Sequence, residues 1–142
     1  MILINGKNKI LGRLCTEVAE KLLKQNDKIV IVNSKDVIIS GNPTLIVKEY
    51  LERLDRGGKG NPENNPKYPR YPHTIVKRAV RGMLPRNPKG VNALKKLTTH
   101  IAVPLEYKDL LPKPETLKNV SHIALEELSI KLGAKIKKIE TD

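Results

Sequence analysis

Apolar positions at Leu11, Leu14, Cys15, Val18, Ala19, Leu22 and Leu23 recur at i, i+3, i+4, i+7, i+8, i+11 and i+12, which predicts an amphipathic helix ending near Asn26. Runs of strand length flank it. Ile2-Leu3-Ile4-Asn5 precedes it, and Ile29-Val30-Ile31-Val32 follows as a continuous β-branched run, the pattern of a strand covered on both faces. After the turn Asn33-Ser34-Lys35-Asp36, Val37-Ile38-Ile39 predicts another strand. Asn42 is then a natural cap and Pro43 suits the first helical position of a helix whose buried face is Ile46, Val47, Tyr50, Leu51 and Leu54.

Periodicity returns at Ile75, Val76, Ala79, Val80, Met83 and Leu84, a helical stripe stopped by Pro85. Val91, Ala93, Leu94 and Leu97 predict a short helix carrying Lys95 and Lys96, and Ile101-Ala102-Val103, ended by Pro104, a last main strand. Leu110 to Pro114 is a proline-broken connection, and Ser121 is expected to cap a final helix running through Leu132 with Gly133 as its stop. Strand, helix, strands and helix in this order predict one α/β domain over residues 1–142 with a mostly parallel, about four-stranded sheet.

Charge changes the picture in the middle of the chain. At about 100° per residue, Lys77, Arg78 and Arg81 fall almost opposite the apolar stripe of the central helix, and Arg86 and Lys89 follow in a Pro/Gly-broken loop. No Asp or Glu occurs between Glu63 and Glu106, whereas nine Lys and Arg do, so nine of the twelve excess positive charges lie in this one segment. A solvated face mixes signs; a face of one sign suits a polyanion. The net charge of +12 and a pI near 9.9 fit a phosphate-backbone binder.

From Asp55 to His73 no periodicity survives; three glycines and then Pro62, Pro66, Pro69 and Pro72 mark an extended loop (55–74), in which Arg56, Lys59, Lys67 and Arg70 make a basic arm. The arm leads directly into the central helix, so the two are expected to share a ligand. Aromatic residues number only four Tyr, which disfavours modules that stack unpaired bases on aromatic platforms. Tyr68 and Tyr71 either stack on a base or ribose or pack against the neighbouring prolines.

The same inventory excludes most chemistry. A single cysteine rules out an internal disulfide framework, no apolar run reaches the roughly 18–20 residues of a membrane span, and no signal peptide is expected, which together predict a reduced, cytoplasmic protein. The turn GKNKILGR at Gly6 to Arg13 sits as a phosphate loop would, but Arg13 stands where the lysine belongs and Leu14 where the magnesium-binding hydroxyl belongs. A nucleotide-using α/β enzyme built on this turn is the rival reading. His73, His100 and His122 lack metal-ligand spacing, and His73, beside the arm, is expected to meet phosphate or ribose. Cys15 lies in an apolar stripe, and Glu49 and Glu52 lie on a solvated helix face. No catalytic residue, metal, cofactor, membrane or small-molecule substrate is expected.

ILGRL at Ile10 to Leu14, IVIVN at Ile29 to Asn33, VIISGNP at Val37 to Pro43 and above all VRGMLPRNPKG at Val80 to Gly90 resemble the universal large-subunit ribosomal protein L-thirteen family, in order, over about residues 1 to 105. The resemblance implies a three-layer α/β/α domain, located in the cytoplasmic ribosome, that binds large-subunit rRNA beside neighbouring ribosomal proteins, supports subunit assembly and has no catalytic role. It implies RNA contacts at Arg78, Arg81, Arg86 and Lys89, with Arg13 and the arm as contributors; Lys77 joins them by its place on the same helix face. The divergent C-terminal part (105–142), expected to pack on the core, looks like the archaeal form. It lacks the His-Pro-His motif of bacterial members and the long helical extension of eukaryotic ones. The arm departs from the family's RGP-type motif, reading RGGKGNPENNP at Arg56 to Pro66.

Overall fold

The structure, a computed structural model, describes residues 1–25, 27–58, 60–116 and 120–136. In chain order its elements are β1 (Ile2–Asn5), α1 (Leu11–Lys24), β2 (Ile29–Val32), β3 (Ile38–Ser40), α2 (Pro43–Asp55), α3 (Pro72–Met83), α4 (Pro88–Lys95), β4 (Leu97–Thr99), β5 (His122–Ala124) and α5 (Leu125–Lys131).

β2 is the centre of a three-stranded parallel sheet, with β1 and β4 on its two sides. All four of its residues are buried, as a continuous apolar run requires. α1 buries Leu14, Cys15, Val18, Ala19 and Leu22 and packs against α3, which buries Ile75, Val76 and Val80. Ile123, Leu125, Leu128 and Leu132 from the C-terminal part enter the same core.

The α/β class holds, but the strands are distributed differently. Residues 38–40 do not extend the parallel sheet; β3 pairs antiparallel with β5, with Ile39 opposite Ile123. The cause is the length of the preceding connection. A parallel neighbour needs a crossover of a dozen or more residues, whereas β2 and β3 are joined by a single tight turn over Ser34–Asp36, entered through Asn33 at φ 56°. The last parallel strand is Leu97–Thr99, not 101–103. β2 is only four residues long, so after the His100 N–H donates to the Ile31 carbonyl (2.8 Å) the next partners are the Ser34 and Lys35 N–H groups of the turn, which donate to the His100 and Ile101 carbonyls (3.2 Å each), and the chain bends.

Two helices are also redrawn. Leu97 belongs to β4, so α4 begins earlier than its apolar residues suggest, at Pro88, with the Asn87 side chain accepting the Gly90 N–H. The final helix starts at Leu125 rather than at Ser121, because residues 122–124 pair with the open edge of β3. Ser121 instead donates its hydroxyl to the Gly41 carbonyl (3.1 Å). Gly133 does end α5, at φ +83°. α2 starts as expected, Asn42 accepting the Thr44 N–H, but its buried stripe is narrower: Ile46, Val47, Tyr50 and Leu54 are half-buried on the core, and Leu51 is exposed. No helix among the described residues is long and apolar enough to cross a membrane.

Candidate nucleic-acid interface

The interface is built on α3. Ile75, Val76, Val80 and Leu84 anchor it in the core, which leaves Lys77, Arg78 and Arg81 exposed on the opposite side. Ala79 is half-buried and Met83 is exposed, its sulfur accepting the Thr16 hydroxyl at 3.6 Å, so the apolar stripe is narrower than its spacing suggests although it still reaches Leu84. Beyond Pro85 the chain doubles back so tightly that a Cβ at Gly90 would lie 1.9 Å from the Pro85 carbonyl oxygen. Only glycine admits that approach. The reversal lays α4 beside the end of α3 and opens a cleft of about 620 Å³ lined by Arg78, Arg81 and Arg86 among Gly82, Leu84, Pro85, Gly90, Val91 and Leu94.

A second hollow, lined by Lys67, Tyr68, Pro69, Thr74, Lys77, Arg78, Arg81 and Leu94, shares Arg78, Arg81 and Leu94 with the first. The two form one groove between α3, α4 and the end of the arm. Five cations line it (Lys67, Lys77, Arg78, Arg81 and Arg86), and among the described residues no carboxylate does.

Arg78 has an additional task here. Its guanidinium donates a hydrogen bond to the Lys67 carbonyl and lies over the Tyr68 ring, 4.3 Å from the centroid. This fastens the end of the arm to α3 and fixes one wall of the groove. One face of Tyr68 therefore meets Arg78. Tyr71 is at the N-cap of α3 with its ring 6.0 Å from that of His73.

The other residues expected to bind RNA are spread around this groove. Lys89 is exposed on the first turn of α4, next to the groove-lining Gly90, and Arg56 is exposed at the C-cap of α2. Arg70 is exposed with its Nη1 close to Gly133, toward the C-terminal part of the chain. Lys59 lies outside the described residues.

Arg13 lines a different cleft, at the start of α1, together with Lys9, Glu17 and Glu115. There Lys9 pairs with Glu17 (3.2 Å) and Glu115 (3.4 Å), and Lys21 reaches Glu17 at 2.5 Å. The hydrogen bond from Lys21, aided by Lys9, holds the Glu17 carboxyl below its ordinary range against the opposing effect of burial. The glycine of this turn has a packing reason: a Cβ at Gly6 would lie 2.8 Å from the Val37 Cγ2. With carboxylates lining the cleft, the turn is a poor phosphate loop.

His73 is half-buried, and burial, with His100 and Lys77 nearby, lowers its pKa. Cys15 is fully buried and its thiol is pushed up to about 12, the behaviour of a core residue rather than a nucleophile. Among the described residues no group of three or more His, Cys, Asp or Glu could hold a metal ion. Sequence reasoning missed a further basic cleft, formed by Lys28, Asn92, Lys95, Lys96 and Thr98. Lys95 and Lys96 belong to the acid-free segment, but nothing in the order of residues places Lys28 beside them.

The fold and site define a small α/β scaffold that carries an open basic groove. Comparison with known proteins narrows this. The family model described as ribosomal protein L13 matches residues 1–104. The large ribosomal subunit protein uL13 of Methanosarcina barkeri is 37% identical over 142 residues, covering 95% of this chain and 99% of that protein. Its counterpart in Methanococcus maripaludis is 39% identical over 140 residues, with the same coverage, and that of Sulfurisphaera tokodaii is 44% identical over 110 residues, 77% of this chain and 75% of that protein. The chain belongs to the ribosomal protein L13 family. It is of the archaeal type, a structural ribosomal protein of translation and not an enzyme.

Proposed function

We propose that the chain is a constituent of the large ribosomal subunit that grips large-subunit rRNA through the α3–α4 groove and so supports subunit assembly beside neighbouring ribosomal proteins. The observation that carries this reading is the groove's five cations without a carboxylate. Arg81 and Arg86 offer planar paired donors to phosphate oxygens, and Lys67 and Lys77 add point charge. Counterion release drives binding, and structured RNA is read by its shape, phosphates and 2′-OH groups. Lys89 extends the groove, with Arg56, Arg70 and, from outside the described residues, Lys59 as further contributors; Arg13, in a cleft that carries its own carboxylates, is not among them. Residues 1–142 act as one domain, with the arm between α2 and α3 shorter at both ends than the expected 55–74 loop, and the described part of 105–142 packed on the core through Ile123, Leu125, Leu128 and Leu132.

Sedimentation of cell extract through sucrose gradients at low and moderate salt tests this. The protein is expected to travel with the large subunit under both conditions, and Arg81→Ala/Arg86→Ala protein is expected to shift toward the top as salt rises. Recovery of the unaltered protein only at the top of both gradients would overturn the reading.

A further inference from the structure

We propose that the Lys28–Lys95–Lys96 cleft is a second, separate docking surface for double-stranded RNA backbone, so that α4 stands between two RNA segments. The proposal rests on the RNA reading of the α3–α4 groove for the first of these segments.

Three observations carry it. The cleft, of about 630 Å³, is lined by Lys28, Asn92, Lys95, Lys96 and Thr98, again with no carboxylate among the described lining residues. Its lysines are held on rigid backbone: Lys28 directly precedes β2 and its carbonyl accepts the Ile2 N–H (2.8 Å), while Lys96 directly precedes β4 and its carbonyl accepts the Ile29 N–H (3.1 Å). Lys95 is the last residue of α4. Cations fixed at adjacent strand starts hold a defined spacing, which a mobile lysine tail does not.

The third observation is the division of α4 itself. Ala93 is buried in the core; Gly90, Val91 and Leu94 face the arginine groove, and Asn92 and Lys95 face the lysine cleft. A helix with its side chains is about 10–12 Å across, so the two cationic surfaces are separated by a helix width and flank α4 from two sides.

The lining also selects the form of RNA. With no aromatic side chain the cleft cannot stack unpaired bases, whereas ammonium groups beside the Asn92 amide and the Thr98 hydroxyl suit the phosphates and 2′-OH groups of a duplex.

The test uses the full chain and an RNA duplex of about 16 base pairs, prepared with either a donor or an acceptor dye, at low salt. Sedimentation gives the number of duplexes per protein, and energy transfer reports two duplexes on one molecule. The unaltered protein is expected to hold two duplexes and show transfer. Lys28→Ala/Lys95→Ala, which alters only exposed side chains, is expected to hold one duplex, lose transfer and keep the remaining affinity within about threefold. Arg81→Ala/Arg86→Ala is expected to lose the other duplex. If the unaltered protein holds one duplex and the lysine variant matches it, the second surface is overturned while the groove reading stands; the lysines then guard the open edge of β4. If the lysine variant abolishes all binding and the arginine variant none, the two-sided arrangement and the groove reading both fail.

Discussion

Two clefts of this molecule contain arginine and lysine, and they behave as opposites. The one at the start of α1 holds Lys9 and Arg13 but also Glu17 and Glu115, both of which pair with Lys9, so its charge is offset within the protein. The α3–α4 groove holds five cations and no acid, so its field is directed outward. Both follow or precede a glycine turn, and both look basic in the sequence. The placement of the acids, rather than the number of bases, separates an internal salt-bridge site from a surface that attracts phosphate.

The largest effect that would break this contrast comes from the glycines. Gly90→Ala places a methyl group against the Pro85 carbonyl and should cost about 1–3 kcal/mol of stability through overpacking, read as a lower Tm, with the groove distorted. Gly12→Ala, in the first turn of α1 where nothing lies within 4 Å of the added carbon, should be neutral or stabilising by up to roughly 1 kcal/mol. Equal destabilisation in both variants would remove the special role of the Gly90 reversal.

Salt dependence separates the two clefts next. Arg81→Ala/Arg86→Ala should flatten the slope of log affinity for rRNA against log salt by roughly 1.4–1.8, about 0.7–0.9 for each phosphate no longer neutralised. Arg13→Ala, in the cleft that carries its own carboxylates, should leave the slope unchanged. A flattening in the Arg13 variant matching that of a groove arginine would erase the distinction.

The arm gives a smaller effect. Tyr68→Ala removes the ring under Arg78 and should loosen the arm's attachment by about 0.5–1 kcal/mol. Faster amide exchange at Lys67 and Arg70 of the RNA-free protein would show it. Unchanged exchange would mean that the Arg78 hydrogen bond to Lys67 suffices.

Glu17 provides the pH test of the neutralised cleft. Its folded pKa is depressed, so its stabilising contribution is complete above the unfolded carboxylate value near 4.5 and is lost as pH falls through the lower folded value. The carboxyl is largely solvent-screened, so Glu17→Gln should cost only about 0.5 kcal/mol at pH 7 in urea unfolding, and nothing once both proteins are acidified below that window. A difference that persists in acid would assign the effect to packing. Smallest of all, Cys15 should resist thiol reagents at pH 8 in the folded protein and react fully in denaturant, because burial holds the thiol neutral.

Much of this was legible in the chain. The seven apolar positions of α1, the β-branched run of β2, the Asn42-Pro43 start of α2 and the outward-facing cations of α3 follow from period, branching and capping, which are local properties. The acid-free interval located the helix whose cations face outward, because charge sign is preserved whatever the fold. The partners of β3 and β4 were not legible. Apolar runs at 37–39 and 101–103 look like any other strand, and only the reach of the connecting turn and the length of β2 exclude them from the ladder.

The residue order by itself determined the α/β class, the central buried strand and the helix that carries the charge. The tertiary structure decided which cations share a groove. It brought Lys67 beside Arg81 through the Arg78–Tyr68 contact, left Arg13 among carboxylates, and set Lys28 next to Lys95 across the sheet edge. Charge is written one residue at a time, whereas an electrostatic surface is made by distances between residues far apart in the chain, and chain closure alone sets those.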